Sequence, residues 1–302
     1  MWFLLTCLMK NAFTFMHLIN SMKTKMKTFF SYACTGIILS LSIAGCSKKD
    51  NNTDNSKDQP TAISLTVASS ISQTLYDDVF NQINLEAENN NISGRFTTET
   101  GTQGCATITL SPADLNTFPK TMTIDYGTGC TIGAITRKGK LIVNLSGRLR
   151  NAGTTVSTSF ENYFVNEYRL EGTFTITNST ANNVLSFVTQ TTNGKLTYPA
   201  GIMYYTHNGS HTYTQVGGSN TPTYLDDSWS VSGNGITASS ANESLSLDIK
   251  TPLIKNVACG AIVSGVQDFK FNNISGSLNF GEGICDRQAT LTIGSYNTVI
   301  NF

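Results

Sequence analysis

Beyond residue 100 the chain alternates apolar and polar positions with a period of two, the signature of strands with one covered face. Leu141, Val143, Leu145, Gly147 and Leu149 share one face, while Asn144, Ser146, Arg148 and Arg150 share the other. Val156, Thr158, Phe160, Asn162 and Phe164 form a second ladder, and Tyr168, Leu170, Gly172, Phe174 and Ile176 a third. Asn151–Ala152–Gly153, Asn193–Gly194, Asn208–Gly209 and Gly217–Gly218 are hairpin-type turn signals. Strands joined by turns this short pair as antiparallel neighbours. Earlier in the chain, Ile63, Leu65 and Val67 alternate with polar residues and predict a first strand. The period then lengthens: Leu75, Val79 and Ile83 recur every four residues, and Ser70-x-x-Gln73 has the form of a capping box. The spacing predicts one helix over about 70–88, its acids Asp77, Asp78, Glu86 and Glu88 on a solvated face. The pattern as a whole predicts an all-β fold over residues 62–302, a mostly antiparallel meander forming a sandwich or a strongly curled sheet, with one N-terminal helix.

The N-terminal text has a different character. Lys23, Lys25 and Lys27 precede a mostly apolar segment from Phe29 to Ile43, and Ala44–Gly45 follow. That order is a secretory signal, with a core of about 15 residues against the roughly 20 that a spanning helix needs. Leu41–Ser42–Ile43–Ala44–Gly45–Cys46 resembles a bacterial lipobox. The resemblance implies cleavage before Cys46, lipidation of its thiol and attachment to a membrane. The apolar block Met1–Ser21 ahead of the basic head points to a start at Met22 or Met26. Residues 46–61, mostly SKKDNNTDNSKDQP, are too polar to bury and are expected to be a disordered tether. Lys48–Lys49–Asp50 also resembles the charged sorting signals that follow the lipidated cysteine in Bacteroidota surface lipoproteins. The expected address is the cell envelope, the outer membrane, on its surface or periplasmic face.

Charge narrows the partners. Residues 1–45 hold four of the 20 basic residues and no acid, so 16 basic and 20 acidic residues remain, a net charge of −4. Nucleic-acid binding rests on phosphate neutralisation and is not expected. Charged residues make up only 13% of the chain, against about 25% in ordinary domains. Threonine, serine and asparagine take their place, as suits solvated strands.

Four cysteines beyond Cys46 fall into two matching cassettes. Cys105 precedes Cys130 in Asp125–Tyr126–Gly127–Thr128–Gly129–Cys130, and Cys259 precedes Cys285 in Asn279–Phe280–Gly281–Glu282–Gly283–Ile284–Cys285. Four cysteines allow three pairings; the duplication favours the local ones, Cys105–Cys130 and Cys259–Cys285. An exported chain meets an oxidising compartment, and a zinc site would bring its cysteines in closer pairs. This cassette, with Lys138–Gly139–Lys140 after it, is similar to a group of uncharacterised Bacteroidota lipoproteins. Glu171–Gly172–Thr173–Phe174, Asp226–Asp227–Ser228–Trp229, Val231–Ser232–Gly233 and Gly283–Ile284–Cys285–Asp286 extend the likeness over most of residues 105–302. It implies an envelope address and all-β character and brings no catalytic residue.

Catalytic signatures are sparse. His207 and His211 flank Asn208–Gly209, which predicts exposed histidines at a hairpin tip rather than a metal site. Gly233–Asn234–Gly235–Ile236–Thr237–Ala238 reads as a strand turn, since no helix pattern follows it. Asp125, Asp226, Asp227 and Asp286 are the carboxylates available for acid–base work. The richest candidate for ligand contact is the aromatic stretch: Tyr204, Tyr205, Tyr213, Tyr224 and Trp229, with Asp226 and Asp227 beside them. Cross-strand packing explains the same rings. No metal or cofactor is expected. The favoured function is a non-enzymatic envelope lipoprotein with a binding or surface-component role, its partner a glycan or an envelope protein. A carrier of an apolar ligand in a curled sheet and a glycan-active hydrolase are the alternatives.

Overall fold

A computed structural model describes residues 58–95, 104–201 and 203–301. The signal region, Cys46 and residues 46–57 of the expected tether lie outside the described residues. Among these residues one α-helix, α1 (Gln59–Asn89), leads into fourteen strands. These are β1 (Thr107–Ser111), β2 (Lys120–Asp125), β3 (Cys130–Ile132), β4 (Ile135–Leu145), β5 (Thr155–Val165), β6 (Tyr168–Asn178) and β7 (Ser186–Thr197). They continue with β8 (Tyr204–Gly217), β9 (Ser228–Ser239), β10 (Ser244–Asn256), β11 (Ala261–Phe271), β12 (Ile274–Glu282), β13 (Gln288–Ile293) and β14 (Tyr296–Asn301). All fourteen belong to one antiparallel sheet that follows chain order from β1 to β14, with the short β3 pairing on β4. The sheet is a meander and does not close into a barrel, since β1 and β14 remain its edges.

The sheet wraps around α1. Buried helix residues occupy all but one stripe of the turn, from Ala62, Leu65 and Thr66 through Ser69, Ser72, Gln73 and Tyr76 to Val79, Phe80, Ile83 and Ala87. A helix on a flat sheet would bury a single stripe. Side chains of strands as far apart as β4 and β11 reach the same helix: Arg137 bonds Asp78, and Gln267 bonds Gln73 at 3.0 Å. Small residues Ala62, Ala68, Ser69 and Ser72 let the strands approach. The buried hydroxyls of Thr66, Ser70 and Ser72 donate to carbonyls one turn back at 2.8–3.0 Å, so their burial leaves no orphan donor.

The expected strand at 62–68 is therefore the first part of α1. Ile63, Val67 and Ile71 are spaced by four, a multiple of two that lies close to a helical turn, so this spacing could not separate strand from helix. Pro60 at the helix start and the enclosing sheet decide it. The last residues of the expected tether, from Gln59, are helical as well. The expected solvated face is also overturned, because Asp77, Glu86 and Glu88 are buried and Asp78 is half-buried.

Curvature comes from bulges in the ladders. β6 and β7 shift register between Glu171 and Thr173, at Gly172. There φ is +110° and a Cβ would sit 2.6 Å from the Asn193 carbonyl oxygen, so only glycine fits without displacing the partner strand. Asn193–Gly194 belongs to this bulge, inside β7, and is not a hairpin turn. A second irregularity at Asn162 inverts the end of β5, which buries Tyr163 and Val165 rather than Asn162 and Phe164. Gly172→Ala should lower stability by about 1–3 kcal/mol; chemical denaturation showing no loss would mean that the bulge is not under this constraint.

Candidate functional site

Only one stripe of α1 escapes full burial. Ser64, Val67, Ile71, Thr74, Asp78, Asn81 and Leu85, spaced three or four residues apart, form it, with Ile63 beside Ser64. Along the stripe from Ser70 to Leu85 runs a groove of about 510 Å³. One part of its lining is Ala134, Ile135 and Arg137 with Val165, Asn166 and Tyr168; another is Lys255, Val257 and Gly260–Ile262 with Phe280, Arg287 and Asn301. The disulfides stand beside both parts. Cys105–Cys130 lies just ahead of Ala134, and Cys259–Cys285 joins the turns that carry Gly260 and Arg287. Each closes a loop of about 25 residues, worth roughly 3.5 kcal/mol by loop entropy and well placed to hold the groove's shape.

Two buried ion pairs form the floor. The Arg137 guanidinium donates to both Asp78 oxygens at 2.8 and 2.5 Å, and Lys255 Nζ lies 3.5 Å from Asp77. The Tyr213 hydroxyl donates to Asp77 as well. Burial pulls the Lys255 ammonium below its ordinary range, and Asp77 and Asp78 partly restore it. Phe80 and Tyr213 add their ring faces, with centroids 5.7 and 5.4 Å from Nζ. Burial alone would depress Arg137, but its bonds to Asp78 outweigh this and hold the proton more tightly.

A second charged cluster seals the C-terminal end of α1. Asp227, fully buried, accepts from Arg95 at 2.8 Å, Arg150 at 3.0 Å and Gln215 at 2.8 Å. Glu88 lies 3.3 Å from Arg95 and 3.2 Å from Arg150. Cations suit this end of the helix, where carbonyls lack partners. Burial pushes the carboxyls of Asp227 and Glu88 up, and the two arginines pull them back.

The residues predicted to contact a ligand divide. Tyr205, Tyr213, Tyr224, Trp229 and Asp227 are buried, whereas Tyr204 and Asp226 face solvent. Phe80 of α1 is the hub for several of them, stacked on Tyr213 at 4.6 Å and edge-on to Trp229 at 5.7 Å. The aromatic stretch is thus core, as cross-strand packing predicts; only Tyr224 reaches the groove, and its hydroxyl donates to Asn81 at 2.7 Å. Asp226 and Asp227 diverge, the former accepting from Thr221 at 2.8 Å. Asp125 pairs with Lys140 at 3.2 Å, and Asp286 is exposed.

The histidines correct the expected hairpin tip. Asn208–Gly209 lies within β8, and His207 and His211 point inward on either side of Gly209. A Cβ there would come within 3.1 and 3.2 Å of the two rings, so glycine makes their room. Gly233–Asn234–Gly235 likewise lies inside β9 and is not a turn. His207 Nδ1 bonds Thr237 at 2.8 Å, Thr237 bonds Ser69 of α1 at 2.8 Å, and the ring stacks on Tyr76 at 6.0 Å. Burial, reinforced by His211, pulls the His207 pKa down to about 3. Among the described residues no cluster of three or more histidines, cysteines and acids could hold a metal.

Asp77, Asp78, Arg137 and Lys255 were the misplaced or missed residues. A signal existed for one of them: Lys255 occupies the inward phase of Leu253, Lys255 and Val257, where a lysine needs a buried partner.

The depressed His207 pKa makes stability depend on pH. The unfolded chain takes up a proton near pH 6.5 and the folded chain only near 3, so this stabilisation is present above 6.5 and is lost as pH falls. Between pH 7 and 5 the wild type should lose about 1–2 kcal/mol more than His207→Gln. Comparing the two isolates the histidine from Glu88 and Asp227, whose raised pKa values act in the opposite sense. Equal losses in urea titrations would contradict the assignment. No protein-family model, curated protein or solved structure matches this chain.

Proposed function

We propose that the protein is a non-enzymatic binding component of the cell envelope, held to a membrane through a lipid on Cys46, with the groove along α1 as its binding site. The groove carries this reading: α1 is enclosed except along one stripe, and there the fold leaves a cavity of about 510 Å³ with a disulfide beside each part of its lining. Ligand pockets commonly measure about 300–1,000 Å³. An apolar carrier would place its ligand inside the curl of the sheet, but α1 fills that space, so the groove is where such a ligand goes. The two acids that line the groove are paired with cations, Asp77 with Lys255 and Asp78 with Arg137, and Asp227 lies beneath two arginines. Among the described residues no helix is long and apolar enough to cross a membrane; the proposed attachment rests on the lipobox resemblance at Leu41–Cys46.

Native mass spectrometry of the full chain, extracted gently from the membranes of its source, reads both parts of the proposal. The expected polypeptide begins at Cys46, carries acyl chains and holds a further non-covalent mass that Ile71→Arg removes. An unprocessed, unacylated chain contradicts the anchor, and the same bare mass with and without Ile71→Arg contradicts the groove.

A further inference from the structure

Among the described residues the groove carries one unbalanced charge. Its lining holds two carboxylates, Asp77 and Asp78, and three cations, Arg137, Lys255 and Arg287. Asp78 neutralises Arg137 and Asp77 neutralises Lys255. Arg287 is exposed, donates one long bond to the Cys259 carbonyl at 3.4 Å, and pairs with no carboxylate among the described residues. One half of the requirement on a ligand is thus a single negative charge. A guanidinium fork is suited to a carboxylate.

The other half is an elongated apolar body. Ile71 and Leu85 line the groove four helical turns apart, a run of about 21 Å at the usual rise per residue, with Thr74, Asn81 and the Arg137-paired Asp78 between them. One leaflet's hydrocarbon is about 15 Å deep, so an acyl chain can lie along the helix within that length. Ile135, Tyr168 and Ile262 give it apolar contacts from the sheet. A furrow of about 510 Å³ beside one helix suits one chain rather than two.

We infer that the groove binds a long-chain fatty acid, its hydrocarbon along the open stripe of α1 and its carboxylate at Arg287. The inference rests on the reading of the groove as a binding site and adds the class of ligand. It also gives the second cassette a part: the Cys259–Cys285 bridge fixes the turn from which Arg287 projects.

The test uses the full chain with Cys46→Ser, so that no covalent lipid competes. It is titrated with the fluorescent fatty acid cis-parinaric acid, with oleate and oleyl alcohol as competitors. The expected result is one saturable site at which oleate outcompetes oleyl alcohol. Arg287→Gln should weaken oleate about tenfold and leave the alcohol unchanged. Ile71→Arg, a change on the open stripe, should abolish both while thermal unfolding is retained. Equal competition by acid and alcohol, or an unchanged oleate affinity in Arg287→Gln, overturns the fatty-acid assignment; the groove survives if Ile71→Arg still abolishes binding. Binding that persists in Ile71→Arg overturns both readings. Absence of any saturable signal overturns the fatty acid alone, and the native mass measurement then decides the groove.

Discussion

A fourteen-stranded meander that curls on itself needs something inside the curl, and here that something is a single helix. The dependence is mutual. α1 presents buried serine, threonine, glutamine and acidic side chains on most of its faces, and outside the sheet those faces would favour water over a packed interior. Inside it, Asp77 meets Lys255 and Tyr213, Asp78 meets Arg137, and Gln73 meets Gln267. Buried pairs of this kind add little net stability compared with well-packed apolar residues, but removing one partner is costly, commonly about 3–5 kcal/mol. Their effect is to fix one rotation and depth of the helix, and the Phe80 aromatic cluster supplies the apolar burial that makes the arrangement stable.

The groove follows from that geometry. Where strand ends and turns of β4–β6 and of β10–β14 face α1, the sheet leaves one helical phase uncovered: Ile71, Thr74, Asp78, Asn81 and Leu85. With Arg137 and Lys255 neutralised from the helix side, Arg287 on the second disulfide cassette is the one groove cation without a carboxylate partner among the described residues. The charge balance that holds the helix thus also sets the charge of the groove beside it.

The sheet was legible in the sequence because half-buried strands write their faces into alternate residues, and the duplicated cassettes announced their own pairing. Turn chemistry was less reliable: Asn193–Gly194 and Asn208–Gly209 have hairpin spelling, yet one forms a bulge and the other makes room for two inward histidines. The helix was legible only in part. An enclosed helix has no polar face to set against an apolar one, and Ile63, Val67 and Ile71 fit either period, so residues 62–68 read as strand and the helix's acids as solvated. The charged floor of the groove joins residues nearly 180 positions apart in the chain, Asp77 with Lys255, and such a pairing leaves no local pattern. Lys255 in an apolar phase was the one trace of it.

Hydrogen–deuterium exchange of α1 tests most directly whether the helix is the strut inside the sheet. The account predicts that amides from Ala62 to Ala87 exchange as slowly as those of β8 to β10, because the helix cannot open without the sheet opening around it. Rapid exchange of α1 while β8 to β10 stay protected would contradict it.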